Sequence, residues 1–596
     1  MKQEKKWQIV NQLQFSASDF SDNSQETEEK LIQLLLENRG IITKEDAQEF
    51  LHPSLDKVTP DFVGIDKKQL QKAIQRVRDA IEKNEQVVIF GDYDVDGITA
   101  SAILWESFQS LGTRVMPYIP HRVGEGYGLS EKGIDNVLVQ YPDTKLLVTV
   151  DNGIVANEAV AYANQKGLDV IITDHHTLGD QLPDAYAIVH TTKLCGAGVG
   201  WIFSQEFRSV TSKRIKESQN GKEMAGEPLV SLNDNIVNEH LALVALATVA
   251  DLVPLTGANR TLLIHGLKEL QKTTRPGLLA LCSEAELAVE KIDVYAIGHI
   301  IGPRLNAMGR MESAMDSLRL LCTKDRLKAK VLADKLGSTN KERQDITKAL
   351  TEHAITFFKN GKTDGKKLLF IAHESYEEGV IGLVAGKLVE QYYRPAIVLS
   401  IGEKISKASA RSVAGFNIIE FIRSASTLLV NAGGHPMAAG FTIETEKILL
   451  LQEKLEQLAE KSVDGDMLTR VVKIDCALPV EGISQNMYDA LQTLAPFGMG
   501  NFEPTFTSEV VVTDIKKVGQ DGKHLKLVVG PVIASGDEKS PSTRLGVMFP
   551  AIAFGQGELG SKIKAGETIQ IAYTIDENVW RDKKSLQLKI KDIHLH

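Results

Sequence analysis

Three short acidic stretches carry the chemistry open to this sequence. "GDYDVDG" brings Asp92, Asp94 and Asp96, "DNG" brings Asp151, and "DHH" brings Asp174, His175 and His176. Each follows directly on an apolar run: "VVIF", "LLVTV" and "VIIT". One such ending means little, because strand ends turn polar where they meet solvent; three alike point to one rim. In an open α/β sheet, ligands bind outside the carboxyl ends of the strands. Carboxylates gathered there without a cation repel one another strongly in partly buried surroundings. Ionised carboxylates with neutral imidazole and no thiolate suit a hard or borderline divalent ion, Mn²⁺ or Mg²⁺ rather than a structural zinc. Five or more candidate ligands exceed the needs of one ion, so a two-metal centre is expected. The alternation in "DYDVDG" would throw all three acids to one side of an extended segment, with Gly97 freeing the backbone to turn into a helix. Asp251, behind the apolar run "LALVALATVA", reads equally as a helix-end feature or a further ligand.

Other polar clusters suit phosphate. "GPRLNAMGR" (302–310) sets Arg304 and Arg310 beside Asn306; guanidinium forks match phosphate geometry, and a solvated loop is the plain alternative. "SARS" (409–412) and "NAGGHPMAAG" (431–440) place Arg411 and His435 among small residues, Gly433 and Gly434 included. Small residues let a ligand reach backbone N–H groups, which make anion nests; a packed loop histidine is the alternative. "GEGYGLS" (124–130) lacks dinucleotide spacing and reads as a flexible loop or a substrate clamp. Near the C-terminus, Lys516, Lys517, Lys523 and Lys526, then Trp580 with Arg581, Lys583, Lys584, Lys589 and Lys591, suit single-stranded nucleic acid or a solvated positive face.

The elements that must position these residues read as α/β. Strands at 86–90, 114–120, 145–150, 168–173 and 184–189 alternate with helices, the pattern of βαβ units and a parallel sheet. Residues 195–295 read as mostly helical with one polar insertion, "SQNGKEMAGEPLVSLND". The expected fold is α/β multidomain: a helical lead-in (1–60), a parallel-sheet lobe (61–310), a long connecting helix (311–360), a second α/β lobe (361–462) and a C-terminal all-β barrel (463–596).

Bulk composition sets limits. The chain has 596 residues, 43% apolar and 24% charged. No apolar run reaches the ~18–20 residues that span a bilayer, and the N-terminus lacks the apolar centre of a signal peptide. Four widely spaced cysteines make neither a disulfide framework nor a zinc site, which fits a reducing cytoplasm. A net charge of −10 argues against a uniformly basic coat while leaving room for a local basic groove.

"DYDVDG", "DNG", "DHH" and "VADLVPL" resemble, in order, the four motifs of the DHH phosphoesterase family. "GVIGLVAGKL", "ARSVAGFN" and "GGHPMAAGFTI" resemble its DHH-associated domain. "TVADLVPLTGANR", "IGPRLNAMGRM" and the basic β domain narrow the likeness, over roughly residues 35–596, to bacterial exonucleases specific for single-stranded DNA. The resemblance implies metal ligands at Asp92, Asp94, Asp96, Asp151, His175 and Asp251, with Asp174 and His176 also catalytic and His176 facing the scissile phosphate. It implies that Arg304, Arg411 and His435, with Asn306, Arg310, Gly433 and Gly434, hold substrate phosphates. It further implies two Mn²⁺ or Mg²⁺ ions bridged by Asp151, 5′-to-3′ hydrolysis of single-stranded DNA in repair and recombination, and an OB-like barrel. A cytoplasmic monomer working with a helicase and a single-strand-binding protein, without a membrane, completes the expectation. Two departures concern loops: "IVHTTKLCG" stands where an Asn-Pro pair is expected, and Tyr376 where tryptophan is expected. A phosphodiesterase for short oligonucleotides or cyclic dinucleotides would not need the basic β domain. A non-catalytic DNA-binding scaffold would not need intact acids and histidines.

Overall fold

The computed structural model describes residues 5–16, 19–22, 24–219, 234–362, 365–532, 548–580 and 583–595. Most of the polar insertion at 218–234, and Arg581, lie outside the described residues. The chain separates into two compact units, one of Met1–His52, Gly465–Phe497 and Asn501–His596, the other of Pro53–Asp464 with Gly498–Gly500.

In the larger unit, β1 (Gln86–Phe90), β2 (Val115–Tyr118), β3 (Thr144–Val150), β4 (Asp169–Asp174) and β5 (Ala187–His190) form an all-parallel sheet in the order β2-β1-β3-β4-β5. The chain leaves β1 for β2 on one side, then crosses to β3 on the other. The topological switch point therefore lies between β1 and β3, at the crevice where this sheet type binds ligands. Every residue of β1 is buried, which explains why it reads as a continuous apolar run rather than an alternating one. Val87 and Ile89 pack with one core, and Val88 and Phe90 with another on the opposite face. The first core includes α1 (Val95–Ser110), α2 (Gly196–Gln219) and α3 (Asp234–Ala250).

The expected continuous helix over 311–360 is broken. Helix α4 (Gly302–Met311) is followed by a helix over Met315–Cys322 and then by α5 (Arg326–Phe357), 32 residues long. Thr323 is extended, and Asp325 caps α5 by accepting the N–H groups of Leu327 and Lys328, so the chain restarts there. A second sheet follows: β6 (Leu369–His373), β7 (Ala396–Ser400), β8 (Ile405–Arg411), β9 (Leu429–His435) and β10 (Ala438–Glu444), in the order β9-β10-β8-β7-β6. Helix α6 (Ile381–Tyr392) connects parallel β6 and β7; the other pairings are antiparallel.

In the smaller unit, strands Cys476–Ala477, Phe506–Val518, His524–Gly530, Phe549–Ala553, Thr568–Trp580 and Lys583–Leu595 form a sheet that closes through pairing of Phe506–Val511 with Thr568–Tyr573. Closure removes the sheet edges, the property of a small barrel. Leu31, Leu34 and Leu35 of the helix Ser24–Asn38 share the barrel's core with Leu491, Val510 and Ile571. Among the described residues no helix is long and apolar enough to cross a membrane.

Candidate active site

The segment after β1 does not stay extended. Asp94 caps α1: its Oδ1 accepts the N–H groups of Asp96 at 2.9 Å and Gly97 at 3.1 Å. The helix starts at Val95, so Asp92, Asp94 and Asp96 take different directions rather than one side. Gly97 lies within the first helical turn and serves close approach, not turning: a Cβ there would sit 2.6 Å from the Asp92 carbonyl oxygen. Asp96 points at the start of α2, where Gly196 and Ala197 each donate a backbone N–H to it at 2.6 Å. Helix N-termini favour such anions. Gly196 also admits Asp151, whose Cβ would lie 2.8 Å from any Cβ at that position. Asp151 itself has φ 62°, a left-handed backbone that costs a non-glycine residue about 1–3 kcal/mol and persists where the surroundings fix it.

These residues converge. His175 Nε2 lies 3.1 Å from Asp151 Oδ1, 3.6 Å from Asp251 Oδ2 and 3.7 Å from Asp96 Oδ2. Three sets have ligand atoms within 4.8 Å of one another: Asp92, Asp94 and Asp151; Asp151, His175 and His176; Asp96, His175 and Asp251. Asp92 Oδ1, Asp151 Oδ1 and His175 Nε2 are buried without a hydrogen-bond partner, although the last two are close. Burial first, and then repulsion from neighbouring aspartates, raises Asp92 and Asp151 well above the carboxylate range, Asp96 to about 7 and Asp251 to about 9. Burial, then the neighbouring His176, pushes His175 down to about 4, leaving the neutral imidazole that a metal requires. Unpaired oxygen and nitrogen donors beside crowded carboxylates fit divalent cations of the Mn²⁺ or Mg²⁺ class.

Asp174 works differently from the other acids. Its Oδ2 accepts the N–H of Ile154 at 2.9 Å, and its Oδ1 accepts the N–H of His175 at 2.7 Å. The same Oδ1 holds His176 Nδ1 at 2.8 Å. Burial raises Asp174, but the hydrogen bond and charge of His176 and the backbone N–H groups of Ile154 and His176 together outweigh it, and the carboxyl ends below its ordinary value. A carboxylate only accepts, so Nδ1 carries the proton and Nε2 faces outward. Tyr127 Oη lies 3.1 Å from that Nε2, and the His435 ring stacks on His176 at 5.8 Å between centroids. His190, in the departing "IVHTTKLCG" stretch, donates Nε2–H to the His176 carbonyl at 2.7 Å.

The phosphate-binding candidates divide. The stretch 302–310, open to a loop reading, is helix α4. Asn306 and Arg310 are i,i+4 neighbours on one face, whereas Arg304 is not. Arg304 Nε pairs with Glu284 at 2.6 Å and Nη1 donates to the Ile300 carbonyl. Asn306 Oδ1 accepts the Val95 N–H at 3.0 Å, so it pins the turn carrying the acids. Burial, and then Arg122, Arg343 and Arg411, lowers Arg310 to about 10. Arg411, on β8, stands in one cross-strand row with Ala438 and His435, and Gly433 pairs with Gly440 one strand from Ser409. Arg122 lies 5.0 Å over the Tyr93 ring. Among the described residues, Arg122, Arg310, Arg343 and Arg411 form no ion pair with a carboxylate. Tyr127 was visible only within the glycine-rich "GEGYGLS" stretch, Arg122 lay just outside it and carried no signal, and Arg343 was only one charge in a charged helix.

Family models match residues 86–229 (DHH family, N-terminal domain), 365–461 (DHHA1 domain) and 474–592 (RecJ OB domain). The chain is 34% identical over 570 residues to the single-stranded-DNA-specific exonuclease RecJ of Bacillus subtilis (strain 168), covering 94% of this chain and 67% of that protein. It is 30% identical over 543 residues to that of Escherichia coli (strain K12), covering 88% and 90%. A crystal structure of RecJ from Thermus thermophilus in complex with Mn²⁺ superposes with TM-score 0.78 at 26% identity, covering 100% of this chain and 80% of that one. Its complex with Mg²⁺ gives 0.72 at 25%, covering 99% and 78%. Ordered motifs, cluster and likeness over most of the chain lead to one assignment: the chain belongs to the RecJ family of single-stranded-DNA-specific exonucleases.

Proposed function

We propose that this chain is a metal-dependent exonuclease that degrades single-stranded DNA from its 5′ end by hydrolysing phosphodiester bonds. The observation that carries the reading is the sharing of Asp151 and His175 among three ligand sets at one sheet edge. Asp92, Asp94, Asp96, Asp151, His175 and Asp251 would hold two ions of Mn²⁺ or Mg²⁺. When bound, such ions supply Lewis acidity, polarising a phosphoryl oxygen and acidifying a water. Hydrolysis places the oxygen of a water on phosphorus, breaks one P–O ester bond and leaves a proton on the departing hydroxyl.

The chain's own residues orient this exchange. Burial lowers His176, but the Asp174 hydrogen bond and the surrounding carboxylates together raise it above the ordinary imidazole value, so the ring carrying both protons donates Nε2–H, next to Tyr127 Oη, to the scissile phosphate. Arg310 and Arg411, with Arg122 and Arg343, neutralise the strand's phosphates, and His435, Gly433 and Gly434 receive the end of the strand. Asn306 serves by holding Val95, and Arg304 stays with Glu284. In the barrel, Lys516 and Lys526 stand directly opposite across antiparallel strands, a like-charge arrangement that an anionic strand relieves. The setting is the cytoplasm, in repair and recombination, as a monomer fed by a helicase and a single-strand-binding protein.

The test uses single and double strands labelled at either end, incubated with Mn²⁺ or Mg²⁺. Loss of the 5′ label first, from single strands alone, is expected. Shortening from the 3′ end, or cleavage confined to dinucleotides, refutes the reading.

A further inference from the structure

The smaller unit carries a groove remote in chemistry from nucleic acid. Its cavity volume is about 520 Å³, inside the range of about 300–1,000 Å³ usual for ligand sites. One wall is the helix Ser24–Asn38, which presents two stripes at i,i+4 spacing. Ile32 and Leu36 make the apolar stripe, with Glu28 one turn before them; Gln25, Glu29, Gln33 and Glu37 make the polar one. Gln25 donates to Glu29 and Gln33 to Glu37, so the two amides order the two acids along the rim. Ile41, Ile42 and Ala47 form the facing side, and Ile42 is 80% exposed.

The charge around this groove is mainly negative. Among the described residues, Glu28, Glu29 and Glu37 form no ion pair, while Glu26 on the same helix is paired with Lys30. Lys44 is the one base lining the groove. Three carboxylates without a cationic partner, beside exposed isoleucine, repel a DNA strand and match a cation-bearing apolar ligand. Residues 25 to 37 span about 18 Å at 1.5 Å per residue, the length of a three-turn helix laid alongside. Helix-in-groove recognition uses anchors at i, i+3 or i+4, and i+7.

We propose that this groove docks a basic amphipathic helix of a partner protein, with apolar anchors against Ile32, Leu36 and Ile42 and lysine or arginine facing Glu28, Glu29 and Glu37. The groove lies in the unit that does not carry the acidic cluster, and it assigns the small unit a protein-recruiting role beside strand binding.

The test titrates the full chain into a fluorescein-labelled amphipathic peptide of about twelve residues, leucine on one face and lysine on the other, and follows anisotropy. A scrambled peptide of the same composition and one with glutamate for lysine serve as controls. Saturable, salt-weakened binding is expected for the patterned basic peptide alone. Ile42→Asp, at an exposed position, and the double variant Glu29→Lys/Glu37→Lys are each expected to weaken it at least tenfold, with unchanged thermal unfolding and unchanged hydrolysis of free single strands. Three results overturn the proposal: no binding to the natural chain, equal binding of the scrambled or acidic peptide, or equal binding by both variants. A concentration-dependent dimer lost in Ile42→Asp, seen by sedimentation, would give the groove to a second copy and overturn it as well.

Discussion

Asp151 Oδ1 and His175 Nε2 lie 3.1 Å apart, buried, with no hydrogen bond between them. Two lone-pair donors held so close are unfavourable unless a cation joins them. Replacing Asp151 removes the residue shared by two ligand sets. Asparagine is the better variant, because it tolerates the left-handed backbone at φ 62° that alanine would strain. Asp151→Asn is expected to keep the fold and to lose more than the ~100-fold activity typical of disturbing an outer partner. Circular dichroism checks the fold and single-turnover cleavage with Mn²⁺ checks the loss; activity within tenfold of the natural chain refutes the role.

Asp174 separates orientation from ligation. Both of its oxygens are engaged by the Ile154, His175 and His176 groups, so it acts through His176. Asp174→Asn is expected to lower turnover by about 10–100-fold while Mn²⁺ affinity, measured by calorimetry, changes little. A matching loss of metal affinity would show that Asp174 supports the ligand set instead.

The rim of acids was legible because parallel strands covered on both faces read as continuous apolar runs, and each run stops at an acid. The local geometry after β1 was not, since alternation was read where Asp94 is an N-cap. A carboxylate three residues before glycine, opening an apolar stretch, carries a capping signal that outweighs period two. The stretch 302–310 was open to a loop reading because of Gly302, Pro303 and Gly309. Yet Pro303 sits in the first turn, where proline is tolerated, and Gly309 lets α4 approach the Tyr93 carbonyl, 2.3 Å from where its Cβ would be. That helical phase, invisible in a loop reading, decides that Arg310 joins Asn306 and Arg304 does not. Arg122 and Arg343 come from distant segments, and only tertiary packing brings them to Arg310.

The arginine group predicts an exchange of stability for function. Burial and three like charges disfavour the charged Arg310 guanidinium. Arg310→Met is expected to stabilise the protein by roughly 0.5–2 kcal/mol. The same change should weaken binding of the strand end by about 1.5–3 kcal/mol, read as a raised KM with a smaller change in kcat. Thermal unfolding and steady-state kinetics on one preparation test both halves. A destabilised variant with unchanged KM would make Arg310 a structural residue.

Metal and protons compete for the same acids, which fixes a pH dependence. Asp96 and Asp251 have folded values raised to about 7 and about 9, above the ordinary 3.8. The metal-free fold therefore binds protons that the unfolded chain has already released, and this contribution to stability declines as pH rises through that window. Bound cations remove the penalty. The gap in unfolding temperature between metal-loaded and chelator-treated protein is expected to widen from about pH 5.5 to about pH 8.5, where ligand at 100 times Kd adds about 2.7 kcal/mol. Asp96→Asn should flatten the metal-free curve. A gap independent of pH would mean these acids do not meet the ion.

The barrel lysines are open to a salt titration. Lys516 and Lys526 are exposed, opposite one another and without a carboxylate partner among the described residues. Phe554, 56% exposed, packs edge-on against His524 on the neighbouring strand and offers a face for a base. For single strands the logarithm of the binding constant falls with the logarithm of salt by about 0.7 per neutralised phosphate. Replacing both lysines with glutamine is expected to reduce that slope by about 1.4 and to weaken long strands more than short ones, while turnover of a short oligonucleotide stays the same. Phe554→Ala should weaken binding with no change in slope, because stacking releases no counterions. If the double variant keeps the natural slope, the positive face is only solvated and the strand follows another path.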